Sequence, residues 1–102
     1  MLNIDVEDLD EMNEFIKNQK DLFFENLIIS VKTAWESGDK NITVASFYIK
    51  KSDTTVNISI DSDNWDETLY LALYHFEKSE NYEYCSEIQQ LIDSIHNEKK
   101  DK

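Results

Sequence analysis

A chain of 102 residues with 40% hydrophobic side chains and twelve aromatic rings can build one domain around one modest core, and it is too apolar for a disordered segment. Its charge is the outlier: 22 acids against 10 bases give a net −12, and every base is lysine, so arginine forks for phosphate are excluded and nucleic acid is a poor direct ligand. The single glycine excludes glycine-rich phosphate loops, the single cysteine excludes an internal disulfide or a cysteine-based zinc cluster, and no apolar run approaches the roughly 18 residues of a membrane span.

The first residues carry acids where a secretion signal would carry positive charge. The expectation is a cytoplasmic protein, or a phage product working in its host's cytoplasm, with no membrane partner. Charge comes in blocks. Residues 1–16 hold six acids and no base, 17–51 hold six lysines and four acids, and 52–98 hold eleven acids and one lysine. Such a field attracts basic proteins and speeds their encounter at low salt.

Val6, Leu9, Met12 and Ile16 recur at helical spacing, with Glu7, Glu11 and Glu14 on another face. Uncompensated like charges three or four residues apart repel by a few tenths of a kcal/mol per pair. These three glutamates are therefore candidates for partner binding, against the plainer reading of a solvated outer face. A second stripe, Leu22/Phe23, Leu27, Val31 and Trp35, is widened by Phe24 and Ile28 and ends at Gly38, a C-cap residue for positive φ. No hard breaker separates the stripes, so residues 5–37 read as one long helix or as two.

From Ile42 to Lys50 the chain alternates as a strand, with Ile42, Val44, Ser46 and Tyr48 on one face and Thr43, Ala45, Phe47 and Ile49 on the other. Val56, Ile58 and Ile60 form the apolar face of a second strand, and Lys51–Thr54 supplies a hairpin turn. No third strand is visible. Asp61-Ser62-Asp63-Asn64 ends this segment and opens the next helix, with Asp63 or Asn64 expected to cap it. The same four residues begin like a calcium loop, but the pattern then requires an oxygen ligand at Trp65, glycine at Asp66 and glutamate at Ala72. No metal or cofactor is expected.

Trp65, Leu69, Leu73 and Phe76 mark the core face of that helix, Ser79-Glu80-Asn81 a short link, and Cys85, Ile88, Ile92 and Ile95 a last helix packing antiparallel to it. On Ala72, Leu73, Phe76, Tyr82 and Cys85 this stretch of about 30 residues resembles a single tetratricopeptide-type helical hairpin. It lacks the turn glycine, and no second copy recurs. The resemblance implies antiparallel packing and a protein-binding role. The fold class expected is α+β: an N-terminal helix or helix pair, a two-stranded antiparallel β-hairpin and a C-terminal antiparallel helical hairpin, in one domain over 1–98 with a frayed lysine-rich tail at 99–102.

Catalytic patterns are sparse. His75 and His96 are 21 positions apart and form no metal-binding spacing, and Cys85 sits in an apolar row as a core thiol, so no catalytic residue is expected. What remains is the face beside the core stripe of the helix after Asn64. Asp66, Tyr70, Tyr74 and Glu77 share one side, flanked by Asp63 and Glu67. Tyrosines supply contact area at low entropy cost, and carboxylates steer lysine and arginine toward them. The function expected is a non-enzymatic inhibitor or mask for a basic protein, such as a nuclease or other nucleic-acid-binding protein. Phage anti-restriction and anti-CRISPR proteins and immunity proteins share this small acidic character, and a DNA mimic is one form of it. Mimicry requires residues 1–16 and 61–87 to make one continuous acidic surface, because duplex DNA presents one charge per about 1.7 Å of axis. The alternative is an adaptor or assembly module whose helical hairpin docks a partner or a second copy as a homodimer.

Overall fold

The structure, a computed structural model, describes residues 1–100, with side chains through Asn97. In chain order it consists of β1 (Leu2–Val6), α1 (Leu9–Asn18), α2 (Lys20–Ser37), β2 (Asn41–Ile49), β3 (Thr54–Asp61), a 3-10 turn (Ser62–Asn64), α3 (Trp65–Lys78) and α4 (Tyr82–Lys100). The fold is α+β, but the sheet has three strands in the order β1-β2-β3 and is mixed. The hairpin is present as the antiparallel pair β2–β3, and β1 runs parallel to β2. The lysine-rich tail expected at 99–102 lies outside the described side chains.

The added strand corrects the reading of the N-terminus. Leu2, Ile4 and Val6 alternate with Asn3 and Asp5 and lie opposite Ala45, Phe47 and Ile49. Val6 therefore belongs to a strand and not to the first helical stripe. Parallel strands require a crossover, and the α1–α2 pair supplies it. The helix pair is broken at Gln19 (φ −119°, ψ 44°), within the entirely polar run Lys17-Asn18-Gln19-Lys20. With no apolar side chain to bury there, the chain turns between two buried faces. Asp8 caps α1, its carboxylate accepting from the Glu11 N–H at 2.9 Å. Gly38 ends α2 at φ +82° with its N–H on the Ala34 carbonyl.

A bulge in β2 revises the face assignment. Thr43 pairs with Ser59 and Ala45 with Ile58, so Val44 is the extra residue. Ile42 and Val44 are thereby joined on the core side by Ala45, Phe47 and Ile49, all five at most 5% exposed. The other face is polar and bridged across the strands: Thr43 to Ser59 at 3.1 Å, and the Ser46 hydroxyl donating to the Asn57 side chain at 2.6 Å. One face packs and one meets water, as an antiparallel hairpin permits.

The core has two parts. The larger joins Leu27, Ile28 and Val31 of α2 with Trp65, Leu69 and Phe76 of α3, Ile88, Ile92 and Ile95 of α4, and Ile42 and Val44. The smaller places Met12 of α1 with Val6, Ala45, Phe47 and Ile49, and Phe15 meets Phe47 edge-on at 5.8 Å. Phe23 packs against both parts. Each large apolar side chain buried in this way contributes ~1.5–3 kcal/mol.

Candidate protein-binding face

The turn from β3 into α3 is built differently from the cap expected of Asp63 or Asn64. Asn64 is the N-cap residue, but no side chain caps the helix. The 3-10 turn occupies that place, and Asp61 instead accepts from the Asn41 side-chain amide at 2.9 Å, tying it to β2. Trp65 is 2% exposed and donates its indole N–H to the Ile60 carbonyl at 3.1 Å, which fixes the azimuth of α3 against the sheet. Leu69, Ala72 and Phe76 then face inward, and the opposite side of α3 is left to solvent.

That outer side carries Asp63, Glu67, Tyr70, Tyr74 and Glu77, all exposed, with Tyr70 46% and Tyr74 58% accessible. Five of the six residues expected on this face are therefore presented together. Leu71, 61% exposed beside them, went unnoticed in the sequence because its neighbour Leu69 satisfies the core stripe. Lys78 also joins the face, its ammonium 4.6 Å from the centre of the Tyr74 ring.

Asp66 does not share this exposure. It turns toward α4, where its carboxylate lies 2.9 Å from Nε2 of His96 and its side chain is 24% accessible. A matching pair joins α3 to α2, with His75 Nε2 2.5 Å from the Asp21 carboxylate. Both histidines thus link neighbouring helices, and among the described residues no hydroxyl or thiol is hydrogen-bonded to either imidazole ring. Cys85 is partly buried against the larger core. Burial, and then the nearby Glu77 carboxylate, push its thiol above the usual range. That is the wrong direction for a nucleophile. No group of three or more metal-ligating side chains is present among the described residues.

The glutamates of the N-terminal block are engaged locally. Glu11 accepts from the Glu7 N–H at 3.2 Å, Glu7 pairs with Lys50 at 3.8 Å, and Glu14 takes the Asn18 amide at 3.5 Å. Glu11 and Glu14 line a small cavity beside Ile4 and Asp5 of β1. Where the end of α1 comes closest to α3, the groove between them is lined by Ile16, Lys20, Tyr74 and Lys78, with no carboxylate among its lining residues.

At the link between the last two helices, Glu80 adopts φ +59° and the Asn81 N–H bonds the Phe76 carbonyl at 2.9 Å. A glutamate thus takes the left-handed position that a glycine would occupy more cheaply. The two helices are antiparallel, with Tyr84 stacked on Phe76 near the link and His96 opposite Asp66 far from it. Comparison with known protein families, curated proteins and solved structures finds no match to this chain.

Proposed function

We propose that this chain is a non-enzymatic binding protein that inhibits or masks a basic, nucleic-acid-binding protein, and that the outer face of α3 is its contact. The observation that carries the reading is the joint exposure of Glu67, Tyr70, Tyr74 and Glu77 on a helix whose opposite side is locked into the core. Carboxylates interleaved with exposed rings suit lysine- and arginine-rich surfaces, and a net −12 would steer such partners inward. The engagement of Glu7, Glu11 and Glu14 with local groups, and the lysines between α1 and α3, confine the proposed contact to α3 and its flanks. A phosphate mimic running over both acidic blocks is not part of it.

Capture on the immobilised chain from a bacterial lysate at about 50 mM salt, followed by a step to about 500 mM, tests this reading. The expected eluate is enriched in basic nucleic-acid-binding proteins, each of which loses nucleic-acid binding when the chain is added. A retained set that is not basic, or that resists the salt step, would contradict the proposal. It would favour the second reading, an adaptor in which Leu71, flanked by Tyr70 and Tyr74, seats the helical hairpin on an apolar surface.

A further inference from the structure

A groove of about 280 Å³ opens where the end of α1 and the first turns of α2 meet the C-terminal half of α3. Its walls are Phe23, Phe24, Leu71 and Tyr74, and the charged residues lining it are Lys20 and Lys78. In a chain with 22 acids and 10 lysines this reverses the prevailing sign. Lys20 stands in the first turn of α2, where the helix dipole disfavours a cation. It makes no ion pair among the described residues, so helix stability does not account for it. Lys78 lies over the Tyr74 ring at the groove's rim, which sets an ammonium beside an aromatic wall. His75 also lines the groove, 5.2 Å from Phe24 ring to ring and held by Asp21.

We propose that this groove binds a small aromatic carboxylate, with its ring against Phe23, Phe24, Leu71 and Tyr74 and its carboxylate paired with Lys20 and Lys78. Its volume is just below the ~300–1,000 Å³ of small-molecule pockets, room for one ring system with a short acid arm. Apolar walls with a few convergent polar groups are the usual makeup of such a site. The overall field of the molecule repels anions, so a measured preference for an anion over its neutral isostere can come only from cations near the ligand. This inference goes beyond the function proposed above and does not depend on it.

Titration of the full chain with 1-naphthoate, neutral 1-naphthamide and cationic 1-naphthylmethylamine, followed by ¹H–¹⁵N NMR, tests it. Naphthoate should bind about ten-fold tighter than the amide, a difference of ~1.4 kcal/mol, and the amine should bind most weakly. The shifted amides should cluster at residues 20–24 and 71–78. The Lys20→Gln/Lys78→Gln variant should lose the preference for naphthoate, and the Lys20→Glu/Lys78→Glu variant should reverse it, both with unchanged circular dichroism. Equal binding of the amine, shifts centred elsewhere, absence of saturable shifts at millimolar naphthoate, or a folded double variant with unaltered preference would each overturn the proposal.

Discussion

Truncating Phe76 to alanine perturbs the point on which α2, α3 and α4 converge. The ring is 1% exposed, stacks on Tyr84 at 4.7 Å, and meets Phe24 and His75 edge-on at 6.4 and 5.0 Å. A buried Phe→Ala change costs ~3–5 kcal/mol through lost transfer energy and the residual cavity. Aromatic pairs add ~0.5–1.5 kcal/mol beyond burial, which places this site in the upper part of that range. Against a total stability of ~5–15 kcal/mol, the variant is left marginally folded. At ~4–8 °C per kcal/mol for a domain of this size, Tm should fall by about 20 °C or more. Thermal and urea denaturation followed by circular dichroism measures it, with Tyr70→Ala as the solvent-exposed control. A fall below about 5 °C, or one no larger than the control's, would show that these helices do not share this ring as their common core.

Other consequences can be checked with the same material. Gly38→Ala should cost ~1 kcal/mol, lowering Tm by about 4–8 °C, because φ is +82° and a methyl there would meet nothing within 4 Å; an unchanged Tm would exclude the left-handed cap. The Cys85 thiol is raised by burial and by Glu77, so its rate of reaction with a disulfide reagent should lag a free cysteine's at pH 8 and rise to its plateau at higher pH. Parity with free cysteine would contradict the buried placement. The Tyr84 phenol is held above its ordinary range by the neighbouring Glu25 carboxylate first and by burial second, so its neutral form is favoured in the folded state. The resulting stability is present below the pKa of a free tyrosine, about 10, and is lost as pH rises beyond the raised value. Tyr84→Phe should flatten that alkaline loss in urea melts, and an identical pH profile would refute the raised phenol.

Much of the fold was legible because periodicity and punctuation agreed. Leu27, Val31, Leu69 and Phe76 recur at helical spacing and are core residues, and Gly38 ends its helix as its backbone freedom implies. β1 was not legible because five residues with an aspartate among them are too few to establish a period, and Val6, its last residue, also fits the helical phase of Leu9 and Met12. Its strand character is supplied by its neighbour β2, a non-local pairing. The bulge at Val44 was hidden for a related reason: alternation registers the two faces of a strand but carries no mark where one extra residue exchanges them.

The candidate face followed the same division. The helical phase places Tyr70, Tyr74 and Glu77 on the outside of α3, because the core stripe opposite them is unambiguous. It could not show that Asp66 would turn to His96, thirty positions away, since that depends on how α4 returns along α3. Nor could it show that lysines from two separate helices would meet in one groove.

The central claim, that the outer carboxylates of α3 carry partner binding, is tested most directly by one comparison. It is the dissociation constant of a captured basic partner for the native chain and for the Asp63→Asn/Glu67→Gln/Glu77→Gln variant, at about 50 mM salt. All three residues are exposed, so the variant should fold with stability within about 0.5 kcal/mol per site of the native chain. Weakening by about ten-fold or more, that is ~1.4 kcal/mol or more, is the result predicted. An unchanged dissociation constant in the folded variant would contradict the claim.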